Sequence, residues 1–297
     1  LGLCFACSVT VSVMAAETEP KAGIEAGTVA PARSGVLTGL GESALSRTYP
    51  EAAVWLNLDD DDRVLGLLFA ERTLPAKGAL MILPEVGETA ASGIAGSLAQ
   101  RLADKGWAVL TVGLEAPSSS LRTLLERKPD VPKAASETGT GDAASVEVDV
   151  RVDNPAGERE VVYRERIQKT LQAGLTTLVS RGYENPALLA VGRASNYITD
   201  MPPAGQDLRA MIWVAPAFYP RDQARLVRDL GARSVPAVLE LYDSQLASHP
   251  SGKQRAVMLH QAEVTDYERQ PVALSYPPSI QGAPALANRI DAWLLSR

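Results

Sequence analysis

A strand hairpin followed by repeated strand–helix units predicts an α/β protein, with a mainly parallel twisted sheet and helices on both faces. Three observations carry that prediction. Short continuous apolar runs recur along the chain, as expected of strands covered on both faces. Segments with apolar residues at helical spacing lie between them. Two strand-like segments joined by an aspartate-rich turn come first, which places an antiparallel hairpin at the start of the sheet.

The composition fits this architecture. The chain has 297 residues, 46% hydrophobic and 22% charged, with a mean hydropathy of -0.02. At this length about three-quarters of the unfolded surface can be buried, so no disulfide or metal is needed for stability. A net charge of -6 and the absence of any basic run argue against nucleic-acid binding. The histidines are His249 and His260, and the cysteines, Cys4 and Cys7, stand at the chain start. Counting thus excludes a Cys/His zinc site, and neither a metal nor a cofactor is expected.

Residues 1–16 read as a signal peptide: Leu1 to Val13 is uncharged and mostly apolar, too short to span a membrane, and Ala15-Ala16 precedes the first acids. Export to the periplasm or secretion follows, with a mature chain free of cysteine and of any membrane span. A lipoprotein box fits poorly at Cys4 or Cys7, and a buried N-terminal strand is the remaining alternative. Residues 17–50 form an N-terminal arm in which Ser43 to Pro50 can make one helical turn.

The main domain is expected over 51–297. The hairpin comprises Ala53 to Leu58 and Val64 to Glu71, joined through Asp59, Asp60, Asp61 and Asp62; those aspartates read as a solvated turn, since the alternating pattern of a calcium loop is absent. Gly78 to Pro84 is a buried strand, Ser92 to Lys105 a helix, and Trp107 to Leu114 the next strand. Tyr163 to Arg181 is a strong helix with Ile167, Leu171, Leu175 and Leu178 on one stripe. Ala187 to Val191, Met211 to Ala217 and Val235 to Tyr242 continue the strands, with a helix at Asp222 to Leu230. A helix at Ser251 to His260, a strand at Arg269 to Leu274 and a helix at Pro284 to Leu295 close the chain. A low-complexity insertion at about 117–160 interrupts this order. Its Val146, Val148, Val150 and Val152 alternate with charges, as in a half-buried strand or, alternatively, a lid or partner-binding edge.

Strand, helix, strand, helix and then A-L-L-A-V-G-R-A-S-N-Y is the order that leads to the nucleophile elbow of an α/β-hydrolase. The chain resembles that fold over residues 52–297. More narrowly, it is similar to a domain-of-unknown-function family of exported bacterial α/β-hydrolase-like proteins. K-G-A-L-M-I-L-P-E-V-G, L-A-D-K-G-W-A-V-L-T-V-G-L, Y-R-E-R-I and the closing A-N-R-I-D-A-W-L carry the likeness. These are scaffold patterns, not catalytic signatures.

The resemblance implies a nucleophile, an acid and a base at three places. Laid on a Gly-x-Ser-x-Gly pattern, Gly192 takes the first glycine and Ala194 the nucleophile position; a shift of one makes Ser195 the nucleophile but removes both glycines. Gly192 to Ser195 is expected to form the strand-to-helix turn, and Pro202-Pro203 leaves room for about two turns of helix after it. The acid is expected after L-E-L-Y, where Asp243 stands. The base is expected between the last strand and last helix, where Ser275 to Gly282 holds Ser279 but no histidine. Near the oxyanion loop, Glu85 and Glu88 bring negative charge to a place that should stabilise it. The leading expectation is a binding protein without a working triad, its partner a small molecule or an envelope protein. The alternative is an unorthodox ester or amide hydrolase using Ser195 or Ser279 with Asp243.

Overall fold

In the computed structural model, which describes residues 40–59, 62–128, 155–200, 207–231, 236–246, 250–264, 266–275 and 277–297, the strands join into one sheet. They are β1 (Ala53–Asn57), β2 (Arg63–Phe69), β3 (Gly78–Leu83), β4 (Trp107–Val112), β5 (Ala187–Val191), β6 (Ala210–Val214), β7 (Ala237–Asp243) and β8 (Tyr267–Val272). Their spatial order is β1-β2-β4-β3-β5-β6-β7-β8. The β1–β2 and β2–β4 pairs are antiparallel, and every pair from β4 through β8 is parallel. The described residues fall in one compact unit, Thr38–Arg297.

Alternation along the central strands divides the core into two layers. Met81, Leu110, Leu188 and Trp213 face one side, against Leu171, Leu175 and Leu178 of α4 (Pro155–Ser180) and Leu226 of α6 (Pro220–Gly231). Leu80, Val109, Leu189 and Ile212 face the other, against Ile94, Leu98 and Leu102 of α2 (Gly93–Asp104) and Leu286, Ile290 and Trp293 of α8 (Ala283–Leu294). Both faces of the sheet are thus covered, which is why its strands read as unbroken apolar runs.

Several boundaries differ from the sequence reading, each for a local reason. The expected strand at Val235 to Tyr242 is β7, Ala237–Asp243; Pro236 has no N–H for the ladder. The last strand is β8, Tyr267–Val272, because Val238 pairs with Tyr267 and Asp243 with Val272. β6 stops at Val214, where Ala215 turns to a φ of 47°.

The largest differences fall in the expected arm and insertion. A helix, α1 (Glu42–Thr48), forms where one turn was expected, and its Glu42 Oε1 accepts the Leu65 N–H at 3.0 Å. A further helix, α3 (Ser119–Glu126), opens the insertion, with Ser118 Oγ accepting the Leu121 N–H and Leu121 and Leu125 buried one turn apart. α4 begins at Pro155, two turns before the expected Tyr163. The valine alternation of 146–152 lies outside the described residues, as do the proposed signal peptide and most of the arm.

Charged contacts pin α4 to its surroundings. Its Lys169 and Arg166 pair with Asp59 and Asp62 of the hairpin turn. Its Arg164 binds Glu160, Asp200 and Asp222 together, tying α4 to α6.

Candidate functional site

The turn after β5 sits at the centre of the sheet, between β3 and β6. Gly192 adopts a φ of 57°, a left-handed conformation that costs a side-chain-bearing residue about 1–2 kcal/mol. Residues Gly192–Ala194 form a short 3-10 turn leading into α5 (Ser195–Thr199), a helix of only 5 residues. Pro202 and Pro203, which shorten this helix in the sequence reading, lie outside the described residues.

The Glu85 side chain occupies the space against Gly192. Its Oε1 accepts the Val86 N–H at 2.8 Å and the Arg193 N–H at 3.1 Å. A Cβ on Gly192 would lie 1.6 Å from Glu85 Oε2, so no other residue fits while Glu85 holds this position. Burial pushes the Glu85 carboxyl above its ordinary value, against the two backbone N–H bonds and the Arg193 charge. Glu88 is likewise raised, by burial and by the neighbouring Glu85. Asn196 braces the turn: Nδ2 donates to the Arg193 and Ala217 carbonyls, and Oδ1 accepts the Tyr219 N–H at 2.9 Å.

A cavity of about 910 Å³ opens further along the same sheet edge, at the carboxyl ends of β6, β7 and β8. Asp243 and Ser279 both line it; Asp243 accepts the Gln245 N–H at 3.1 Å. Ser195 does not reach it. That side chain is fully buried at the start of α5, and its Oγ has no hydrogen-bond partner among the described residues. His260 is exposed on α7 (Pro250–Gln261), away from the cavity lining, and His249 lies outside the described residues.

The cavity wall holds a charge cluster that the sequence reading missed. Glu240, fully buried in β7, accepts Arg255 Nε at 2.9 Å and Arg255 Nη2 at 2.7 Å. It also accepts Tyr267 Oη at 2.6 Å and Arg269 Nε at 3.1 Å. Burial works against its charge, but these hydrogen bonds and both guanidinium charges hold its carboxyl below the usual range. Tyr267, buried beside the carboxylate, is pushed well above the usual phenol range. A signal existed: Glu240 stands among apolar neighbours in V-L-E-L, and a buried carboxylate needs cations nearby.

The sequence matches, over residues 1–296, the family described as protein of unknown function, DUF3530. The chain belongs to that family. Solved structures place its fold. A soluble variant of monoglyceride lipase from Saccharomyces cerevisiae superposes with a TM-score of 0.52 at 10% identity, covering 81% of this chain and 94% of that one. Dienelactone hydrolase from Anabaena variabilis superposes with a TM-score of 0.51 at 13% identity, covering 82% of this chain and 96% of that one. No curated protein sequence matches the chain significantly. This DUF3530 member therefore has the α/β-hydrolase fold.

In that fold the nucleophile sits on the strained strand-to-helix turn, and the oxyanion hole is made by the next N–H and one from the loop after β3. The DUF3530 chain has the strained residue at Gly192, not at Ala194, which is ordinary helical backbone with φ -60°. The left-handed residue thus stands two positions before Ala194, and φ is not readable from residue spacing. Beside Gly192 the N–H groups of Arg193 and Val86 converge, and Glu85 Oε1 accepts both.

Proposed function

We propose that this DUF3530 member is an exported α/β-hydrolase-fold protein that lacks a working serine-hydrolase triad and acts by binding a ligand or partner at the carboxyl edge of its sheet. The observation that carries this reading is Glu85 seated on the Arg193 and Val86 N–H groups against a side-chain-free Gly192. The turn offers no nucleophile, and a carboxylate takes the donors that would stabilise an oxyanion. Losing one such donor costs about 2.7–4 kcal/mol of transition-state stabilisation. Supporting it, the loop that carries the base in such enzymes, Ser275 to Gly282, has no histidine, and a serine without a base is a weak nucleophile. Among the described residues no helix is long and apolar enough to cross a membrane. The apolar start and the Ala15-Ala16 step support export, to the periplasm or beyond the cell.

Fluorophosphonate labelling tests the first part. No labelling and no turnover of short-chain nitrophenyl esters is expected. Stoichiometric labelling lost in Ser195→Ala or Ser279→Ala overturns the reading in favour of a hydrolase. Because Asp243 and Ser279 share the cavity, the second variant is the more telling. Mass spectrometry of protein from the native host tests export: a mature start near Glu17 is expected, and an intact N-terminus in the cytosol refutes it.

A further inference from the structure

The cavity at β6–β8 contains hydrogen-bond donors that the protein does not use. Glu240 accepts four bonds, two from Arg255 and one each from Tyr267 and Arg269. Four is about the capacity of a carboxylate, so it has nothing left for the rest of Arg269. Arg269 Nη1 and Nη2 bond to no acceptor among the described residues, yet its side chain is only 15% exposed. Its guanidinium carbon lies 3.5 Å from the centroid of the Tyr242 ring, which covers one face and fixes the plane. A Cβ on Gly252 would come within 2.5 Å of Nη2, so the glycine leaves the room the group occupies. The result is a rigid planar fork held at the wall of an open cavity, the geometry that matches a carboxylate with two parallel bonds.

Charge and lining narrow the ligand. Arg255 and Arg269 against the single Glu240 leave one positive charge over. Asp243 lines the same cavity and is paired with neither arginine. One surplus charge suits a monoanion, whereas a phosphate dianion would have its second charge facing Asp243. Ala215, Ala217, Leu246 and Leu274 supply apolar surface beside polar groups such as Gln245 and Ser279, and the volume falls in the range of small-molecule sites.

We propose that this cavity binds a small monocarboxylate with an apolar body, the carboxylate lying across Arg269 Nη1 and Nη2. The proposal rests on the reading of the sheet edge as a binding cleft.

Calorimetric titration of the purified full chain tests it with phenylacetate and hexanoate as probes, phenylacetamide and hexanamide as uncharged counterparts, and inorganic phosphate. Both acids are expected to bind at least about tenfold more tightly than their amides, since a charge-assisted fork is replaced by a neutral group. Phosphate is expected not to compete. Arg269→Gln should abolish the preference for acid over amide and Arg269→Lys should retain part of it. Asp243→Asn, which leaves the arginine cluster untouched, should tighten binding of both acids. Acids that bind no better than amides, competition by phosphate, a folded Arg269→Gln that keeps the preference, or an Asp243→Asn that fails to tighten binding would each overturn the proposal. Fluorophosphonate labelling of the same preparation keeps the two readings apart. Absent carboxylate binding without labelling removes only this inference; labelling alongside carboxylate binding removes only the claim that the triad is lost.

Discussion

At the carboxyl end of β5 one carboxylate, Glu85, meets two backbone N–H groups; at the ends of β7 and β8 one carboxylate, Glu240, meets two guanidinium groups and a phenol. In the first place acceptor and donors match, and the space against Gly192 is filled by the protein itself. In the second, donors outnumber the acceptor sites, and the excess belongs to Arg269, which lines an open cavity. The difference teaches that two carboxylates on one sheet edge can leave their surroundings in opposite states. What matters is whether buried donors are already satisfied, not how many there are.

The largest expected effect tests the second region. Glu240→Ala leaves two largely buried guanidinium groups with no carboxylate, and should cost about 3–5 kcal/mol in denaturant unfolding. A loss below about 1 kcal/mol would mean that water already compensates the cluster.

The elbow is tested by coupling. Gly192→Ala should be strongly destabilising alone, because Cβ meets Glu85 Oε2 and φ is 57°. With Glu85→Ala also present the clash disappears and only the backbone strain remains, so a double-mutant cycle should return a coupling of about 1–3 kcal/mol. Additive effects would show that Glu85 does not lie against Gly192 in solution.

The two arginines sharpen the contrast within the cavity. Arg255 gives Glu240 two bonds and is 7% exposed, whereas Arg269 gives one. Arg255→Gln should therefore cost about 3 kcal/mol and Arg269→Gln about 1.5 kcal/mol, the two ends of the usual range for hydrogen bonds to charged groups. Equal losses would remove the argument that Arg269 is held for something other than stability.

The smallest effect is in pH. The folded protein raises the Glu85 carboxyl above 4.5, so the native state favours its protonated form. That contribution to stability is fully present below pH 4.5 and is lost as pH rises through the raised value. Wild type should thus lose stability relative to Glu85→Gln as pH climbs from there towards neutrality. Glu88 shifts in the same direction, but it is present in both proteins. A difference that stays flat with pH would show that Glu85 is not buried as described.

Much of the architecture was legible in the sequence. Apolar runs such as Ala187–Val191, and the Ile167, Leu171, Leu175, Leu178 stripe, encode periodicity that packing simply uses. Asp243 and Ser279 were named by the resemblance, which is a match of order along the chain; that they line one cavity is visible only in the structure. α3 was missed because its two buried leucines, Leu121 and Leu125, stand in a polar stretch too short for a clear stripe.

By itself, then, the sequence determined the layer order, the short helix after β5 and the missing histidine in the last loop, because these follow from local pattern and residue count. Tertiary structure alone decided three things: that Gly192 carries the left-handed turn, that Glu85 crosses from the β3 loop to fill it, and that Glu240 gathers Arg255, Arg269 and Tyr267. Those pairings join residues as much as 108 positions apart. Their partners are set by which strands lie side by side in the sheet, and that neighbourhood exists only after the chain has folded.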